Sequence, residues 1–199
     1  HRRLPRPVKQ LLRFAPDRAY IQLYYFRKFH SFADLRNPVT YNEKLQWLKL
    51  NYRIPTDAKL VDKYEVKEIV AREIGAEHVI PTLAVYDSAD EIDFDALPDA
   101  FVLKCTHDSG STVLVEDKSL IDREKIGENL RQALSQNHYQ YGREPHYRDL
   151  TPRIIAEPYL EDTTHRQFLD YKFFCFDGEV KAMYIATDQT LEGRMRSDY

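Results

Sequence analysis

The sequence predicts an α+β fold, in which a helical N-terminal region precedes short strands that pair in antiparallel fashion. Apolar residues recur at helical spacing through the first third of the chain. After that region, two segments each consist of an apolar run, a turn sequence and a second apolar run, which is the pattern of a β-hairpin. With 43% hydrophobic and 31% charged residues in a chain of 199, the composition is that of a globular protein.

The helices of the N-terminal region are predicted from the residues that begin and end them. Thr40 and Glu43 have the spacing of a capping box, which begins a helix. A second helix is expected to begin at Thr56 or Asp57 and to end at Gly75 as a left-handed cap. Apolar residues at helical spacing follow each start: Tyr41, Leu45 and Leu48 in the first helix, and Val61, Val66, Ile69, Val70 and Ile74 in the second.

Two β-hairpins are predicted from short β-prone runs on either side of turn residues. Phe101–Cys105 and residues 112–115 are expected to pair across a turn at 106–111. In the second hairpin, strands at 171–176 and 179–186 flank Asp177-Gly178, a dipeptide typical of a type I′ turn.

Three further elements are predicted between the hairpins. Residues 122–134 have the apolar spacing of an amphipathic helix. Residues 136–151 are polar, aromatic and without a period, which predicts a loop or a lid. Residues 154–156 are apolar and predict a buried strand.

Composition also limits the class of protein and its compartment. Two cysteines, Cys105 and Cys175, are too few for a disulfide scaffold and favour a reducing cytoplasm. The sequence contains no run of about 20 apolar residues, the length that a membrane span requires. No signal peptide is recognised. Because the chain begins at His1 and ends without a closing element, we expect a fragment of a longer protein.

Positive charge is concentrated in residues 1–30. This segment has eight basic residues and one acidic residue, a net charge of +7, and since the chain carries −3 the remainder carries −10. One interpretation is a solvated helical arm; the other is an arm that contacts an anionic surface such as inner-leaflet lipid or a lipid-linked sugar phosphate. Aromatic residues lie among the bases, as in some nucleic-acid-binding segments, but the acidic remainder argues against a large nucleic-acid footprint.

Lys104 and the turn that follows it form a candidate phosphate-binding element. A lysine within an apolar strand requires an anion or access to water, and an edge-strand lysine that extends to solvent is the alternative. The small residues of the turn, including Ser109, Gly110 and Ser111, would let backbone N–H groups approach phosphate oxygens. Only one glycine supports this interpretation.

Other charged residues each have a functional and a structural interpretation. Lys63 lies at the start of a predicted helix, where pairing with neighbours on the helix surface is the alternative to a site role. Glu157 ends a buried strand, where it would bond a ribose hydroxyl or be solvated. Asp170 and Lys172 share one strand face and are either a surface pair or part of an active-site floor.

Several common catalytic patterns are absent from the sequence. Cys105, His107 and Cys175 do not have the spacing of a zinc site, and packed cysteines are the preferred interpretation. There is no Gly-x-Ser-x-Gly nucleophile motif, no Walker A sequence and no Gly-x-Gly-x-x-Gly.

Taken in order, a set of short motifs resembles the TupA-like ATP-grasp family of bacterial polysaccharide biosynthesis proteins, which are often labelled glycosyltransferases. The motifs lie at residues 38–50, 61–64, 74–75, 101–110, 155–160 and 170–178. The resemblance implies an ATP-grasp fold with two lobes of antiparallel sheet that bind ATP between them. It divides the chain into a basic helical region (1–55), a first lobe with a phosphate-lid hairpin (56–156) and the start of an incomplete second lobe (157–199).

The resemblance also implies nucleotide-binding roles for individual residues. Lys63 and Lys104 would contact phosphates. Ser109, Gly110 and Ser111 would form the flexible phosphate lid.

The remaining implied roles fall at the hinge and in the second lobe. Glu157, Tyr159 and Leu160 would form the hinge, where backbone groups read adenine and a carboxylate reads ribose. Asp170 and Lys172 would lie near the reacting phosphoryl group, and Mg²⁺ ligands are expected beyond residue 199.

The function implied is an ATP-dependent carboxylate–amine ligase that acts through an acyl phosphate on a polysaccharide or lipid-linked precursor. We expect it in the cytoplasm, in peripheral contact with the inner membrane through residues 1–30 and without nucleic acid. One alternative is a glycosyltransferase, although the one Asp-x-Asp sequence, Asp93-Phe94-Asp95, lies in a predicted polar loop. Another is a non-catalytic nucleotide-binding module.

Overall fold

The computed structural model describes residue 12 and residues 14–52, 57–160 and 170–186. The chain divides into two compact units, His1–Pro158 and Tyr159–Tyr199. Helices and two antiparallel sheets are present, so the predicted α+β class is confirmed. No helix among the described residues is long and apolar enough to cross a membrane.

Among the described residues of the first unit, two helices precede the sheet region: α1 (Asp17–Phe29) and α2 (Tyr41–Asn51). The capping box predicted at the start of α2 is confirmed. The Glu43 backbone N–H donates to Thr40 Oγ1 at 3.2 Å, and the Thr40 N–H donates to Glu43 Oε2 at 2.9 Å. A small apolar cluster holds this region together: Ile21, Tyr25, Ala33 and Leu35, with Leu50 against it.

The helix expected between Asp57 and Gly75 is in fact two helices, α3 (Asp57–Val61) and α4 (Glu65–Ile74). The break follows Asp62, which is 1% exposed. Its Oδ1 accepts hydrogen bonds from the backbone N–H groups of Tyr64 at 2.8 Å and Glu65 at 2.9 Å, so the side chain begins a new helix. Gly75 ends α4 as predicted, but in an extended positive-φ conformation (φ 107°, ψ 145°) rather than the left-handed helical one. Thr56 lies outside the described residues.

The first sheet contains β1 (Ala84–Tyr86), β2 (Phe101–Cys105), β3 (Val113–Val115) and β4 (Ile154–Pro158). Its strand order is β1-β4-β2-β3, and every neighbouring pair is antiparallel. The predicted hairpin of β2 and β3 is therefore confirmed, and β4 pairs along the other edge of β2.

The core lies on one face of this sheet, under helix α5 (Arg123–Leu134). The Asp122 side chain accepts from the Lys125 N–H and begins α5 close to the predicted position. Core side chains come from the sheet, from α5 and from the segment before β2: Ala89, Ile92, Phe94, Leu97, Phe101, Leu103, Cys105, Val115, Ile126, Leu130, Ile154 and Ala156. The opposite face of β2 and β4 is thus left for other contacts.

The segment predicted as an irregular loop or lid contains short helical turns. Helix α6 (Tyr139–Gly142) is followed by a 3-10 turn at Pro145–Tyr147. Contacts with α1 stabilise this segment. The Tyr20 hydroxyl of α1 donates to the Tyr141 carbonyl at 3.0 Å. The Arg143 guanidinium, 3% exposed, donates to the Leu12 carbonyl at 2.9 Å and lies 4.3 Å from the Tyr20 ring centroid. The predicted loop therefore contains a short helix and a 3-10 turn that the sequence did not indicate, and the lid role of this segment remains a prediction.

The described part of the second unit is one hairpin, β5 (Asp170–Phe176) and β6 (Glu179–Ala186). Asp177 and Gly178 connect the strands with φ values of 52° and 76°, as a type I′ turn requires. The second predicted hairpin is therefore confirmed.

Candidate functional site

The site begins with an ion pair on the sheet face opposite the core. In the register of β2 and β4, Val102 lies opposite Glu157 and Lys104 lies opposite Ile155, so these four side chains share one face. The Lys104 ammonium lies 2.5 Å from Glu157 Oε2. The Glu157 side chain is only 4% exposed, so the interpretation of a solvated strand end was wrong. A carboxylate this buried needs a cationic partner.

A second cation, Lys67, contacts the same carboxylate and was missed in the sequence. Its ammonium lies against Glu157 Oε1, in a contact that is not aligned as a hydrogen bond. It also donates to the Ile80 carbonyl at 2.9 Å and to Thr82 Oγ1 at 2.8 Å. Its spacing of four residues from Lys63 was the only sequence signal, and that spacing is equally common on solvated helix surfaces.

Lys63 is held at the end of β2 rather than on the helix surface. Its ammonium donates to the carbonyls of Cys105, at 2.9 Å, and Asp108, and lies 3.8 Å from Asp108 Oδ1. The alternative, in which Lys63 pairs with neighbours on the helix surface, was therefore wrong. Burial lowers the pKa of Lys63, the Asp108 charge raises that pKa, and the Lys104 charge lowers it. The ammonium groups of Lys63 and Lys104 are thus close enough to repel each other.

Backbone and side-chain contacts fix the turn that carries Lys63. The Lys63 N–H donates to the Thr106 carbonyl at 3.0 Å, and the Thr106 N–H donates to the Arg153 carbonyl at 2.8 Å. The Arg153 guanidinium in turn lies 2.6 Å from Glu65 Oε1 and 4.9 Å from the Tyr64 ring centroid. The start of α4 is therefore tied to the end of β2 and to the segment that enters β4.

The predicted lid residues have two different environments. Ser111 Oγ donates to Asp108 Oδ1 at 2.6 Å and accepts from the Cys105 N–H at 2.9 Å, so it closes the loop internally. Ser109 and Gly110 are exposed, and Gly110 has a φ of 112°, which a side chain would disfavour. The lid role remains a prediction. Ser109 and Gly110 are the more suitable lid residues, because they are exposed and Ser111 is bonded within the loop.

Two histidines lie beside this loop. His107 is 3% exposed, and its Nε2 lies 3.0 Å from the Gln136 carbonyl. The His138 ring meets it edge-on at 6.1 Å between centroids. Burial lowers the pKa of His138, and the nearby Lys63 and His107 charges act in the same direction against Asp108. The lowered pKa favours the neutral form of the His138 ring near pH 7.

No group of three or more His, Cys, Asp or Glu side chains with the geometry of a metal site occurs among the described residues. Cys105 is buried in the core, and burial raises the pKa of its thiol to about 11. The thiol is therefore protonated at neutral pH and is not an activated nucleophile.

The Asp-x-Asp sequence forms a turn. Asp93 Oδ1 accepts from the N–H groups of Asp95 at 3.0 Å and Ala96 at 3.2 Å, and Asp95 pairs with Arg123 at 2.8 Å. Phe94 belongs to the core. Both carboxylates therefore have partners within the protein, and the structure gives no support to a nucleotide-sugar role for this sequence.

The remaining predicted residues belong to the second unit. Lys172 is exposed on β5, and Asp170 is the first residue of that strand. Leu160 is 48% exposed and Tyr159 is half-buried. The catalytic roles of Asp170 and Lys172, and the hinge role of Tyr159 and Leu160, remain predictions.

In the first unit, therefore, three lysines and two carboxylates lie along the sheet face opposite the core and at the C-terminal end of β2. Lys104 and Lys67 share Glu157, and Lys63 lies beside Asp108. The five side chains carry a net charge of +1 when all are ionised. Partly buried lysines with positive net charge can bind an oligophosphate, whose oxygens would replace the carboxylates as partners.

Comparison with protein families found one match of wide coverage. The model of the family described as TupA-like ATPgrasp matches residues 43–195. Comparison with curated proteins and with solved structures found no significant match. The family match includes most of α2, both sheets and the three lysines of the site. The chain therefore belongs to the TupA-like ATP-grasp family, a membership that implies an ATP-binding enzyme.

Proposed function

We propose that this protein is an ATP-dependent carboxylate–amine ligase that binds ATP on the face of the first sheet opposite the core. The observation that supports this most directly is the pair of ammonium groups of Lys67 and Lys104 on Glu157, together with the Lys63 ammonium at the C-terminal end of β2. A triphosphate carries three to four negative charges, and cations on a partly buried surface bind it more strongly than cations in water.

Each residue has a specific role in this proposal. Lys104 and Lys63 contact the phosphates, and the exposed part of the loop, Ser109 and Gly110, folds over them. When the phosphates bind, Lys104 turns from Glu157 to them, and the Glu157 carboxylate accepts a hydrogen bond from a ribose hydroxyl. Lys67, held by the Ile80 carbonyl, keeps Glu157 in place during that exchange.

Backbone groups of Tyr159 and Leu160 bond adenine, and Asp170 and Lys172 lie near the reacting phosphoryl group. In the reaction, a substrate carboxylate oxygen attacks the γ-phosphorus, and the bond to the β,γ-bridging oxygen breaks to release ADP. An amine nitrogen then attacks the acyl carbon, loses a proton, and inorganic phosphate leaves. Lysine cations near the transferred phosphoryl group stabilise the charge that develops on its oxygens.

Mg²⁺ would neutralise phosphate charge when bound with ATP. The described residues offer no set of carboxylates for it. We therefore assign no metal ligand among the described residues and derive no step from the ion.

The substrate class that we propose is a uronic-acid or peptide-bearing surface polysaccharide or its lipid-linked precursor. The reaction would take place in the cytoplasm, with residues 1–30 in peripheral contact with the inner membrane. Two features support this location: both cysteines are free thiols, and the arm has an excess of basic residues.

Calorimetric titration of the chain with ATP and with UDP-glucose tests the nucleotide assignment. We expect ATP to bind and UDP-glucose not to compete. Lys104→Ala should weaken ATP binding by about 2–5 kcal/mol, the cost of leaving one buried partner without the other. Lys125→Ala, which removes an exposed lysine of α5, is the control and should leave the affinity unchanged. Wild-type affinity in the Lys104 variant, or selective binding of UDP-glucose, would contradict the proposal.

The ligase step is tested by trapping with hydroxylamine. Incubation of the full-length gene product with ATP, Mg²⁺, glucuronic acid and hydroxylamine should yield the hydroxamate in proportion to ADP. ATP binding without ADP release in this assay would favour a non-catalytic nucleotide-binding module.

A further inference from the structure

Helix α1 has a buried face and an exposed aromatic face. Tyr20, Ile21 and Tyr25 are buried against the rest of the first unit. The exposed face, which we call the aromatic face, comprises Leu23, Phe26 and Phe29 of α1 together with Phe32. Phe32 is 69% exposed, and the other three are between 37% and 41% exposed. Exposed apolar side chains grouped in this way, three of them aromatic, are typical of an interaction surface.

The aromatic face is organised and lies next to basic residues. The rings of Phe26 and Phe32 stack with their centroids 4.9 Å apart, although α1 has ended before Phe32. The Lys28 ammonium lies 5.8 Å from the Phe29 ring centroid, and Arg27 precedes it in the last turn of the helix. Aromatic rings with basic residues beside them match the interface of an anionic bilayer, where rings insert at headgroup depth and bases meet phosphate.

We propose that the aromatic face docks α1 in the plane of an anionic lipid surface, with Phe26, Phe29 and Phe32 inserted between headgroups. This inference rests on the peripheral membrane contact proposed above and names the residues that make it. Charge complementarity selects lipid as the occupant. The first 30 residues carry +7, so their basic segments would repel one another in a symmetric pair of copies.

Flotation of the full chain with vesicles tests this docking. Vesicles of equal parts phosphatidylglycerol and phosphatidylcholine should bind the chain, and pure phosphatidylcholine should bind it at least tenfold more weakly. Arg27→Gln with Lys28→Gln should reduce binding to the anionic vesicles by about 25-fold, on the basis of about fivefold for each basic residue near the surface. This variant should also reduce the dependence of binding on salt.

The aromatic contribution is tested separately. Phe26→Ser with Phe32→Ser should weaken binding to the anionic vesicles at least tenfold and leave the salt dependence unchanged, because the charges remain. Matched controls are Leu120→Ser, which removes an apolar side chain 82% exposed elsewhere, and Lys125→Gln on α5; both should bind as the wild type does.

Three outcomes would overturn the proposal. They are equal binding to both vesicle types, wild-type binding by the aromatic variant, and a dimer in light scattering that the aromatic variant abolishes, since a second copy would then be the occupant. ATP titration of the basic and aromatic variants distinguishes failure of lipid docking from failure of the proposed catalytic function. Both variants should keep wild-type ATP affinity. Loss of ATP binding would contradict the assignment of these residues to a surface.

Discussion

Replacement of Glu157 by glutamine should lower the stability of the chain and strengthen its binding of inorganic triphosphate. The amide keeps the shape of the side chain but removes the charge that two ammonium groups share. Lys67 and Lys104 would then repel each other across a polar group that offers one weaker acceptor.

The size of the stability loss follows from burial. Removal of one partner of a buried ion pair costs about 3–5 kcal/mol. The side chains of Lys67 and Lys104 are 16% and 21% exposed, so both can recover part of their hydration. The loss must therefore be smaller than for a fully buried pair, and we expect the free energy of unfolding to fall by about 2–3 kcal/mol. This corresponds to a fall in Tm of roughly 4–12 °C.

Thermal unfolding with and without tripolyphosphate measures both effects. Tripolyphosphate should raise the Tm of the Glu157→Gln variant more than it raises the Tm of the wild type. In the variant, the ligand no longer competes with a carboxylate for the lysines. Glu73→Gln is the matched control: it breaks an exposed pair with Arg72, which contributes little. An unchanged Tm in Glu157→Gln, or a smaller gain from tripolyphosphate than the wild type shows, would refute the assignment of Glu157 as the internal counter-ion of the site.

Three further predictions concern local features. Asp62→Ala should destabilise the chain by about 1–2 kcal/mol, measured by urea unfolding, because it removes a buried helix cap; unchanged stability would mean that the two backbone N–H groups find other acceptors. Backbone hydrogen bonds, chiefly, lower the pKa of Glu43 to about 2, so the stability that its carboxylate contributes should be complete above its ordinary pKa of 4.5 and lost as pH falls from 4.5 to 2. Glu43→Gln should therefore reduce the change in the free energy of unfolding between pH 4.5 and pH 2. The same change in the variant as in the wild type would contradict this. At pH 8, iodoacetamide should label exposed Cys175 and spare buried Cys105, whose pKa is raised to about 11; mass spectrometry showing equal labelling would place Cys105 at the surface.

The elements predicted correctly are those specified by neighbouring residues. A capping box joins Thr40 to Glu43, and the type I′ turn needs only Asp177 and Gly178. The break after Asp62 was missed because an aspartate within an apolar-periodic segment is equally consistent with a solvated helix surface. Only the buried position of Asp62 makes its carboxylate a cap that begins a second helix.

Prediction of the site was partial for a related reason. Lys104 was identifiable because a charge within an apolar strand is unfavourable without a partner. Its partner Glu157 was named from the strand end and the family resemblance. Their pairing depends on the antiparallel register of β2 with β4, which joins residues about 50 positions apart. Lys67 had no comparable signal, because its helix contacts β4 and the segment before β1 only in the folded chain.

The contacts of Arg143 show why the segment around it could not be predicted. This arginine has a φ of 53° and is 3% exposed, a position that is costly for a cation. Asp17 at 3.5 Å and the Tyr20 ring, both on α1, compensate for that cost, and they lie more than 120 residues earlier in the chain. Since a local pattern of polar and aromatic residues contains no information about such partners, it indicates a loop. The same contacts mean that α1 helps to fold the segment beside the site, so truncation of the arm would disturb both, and only substitutions on its exposed face can separate membrane contact from nucleotide binding.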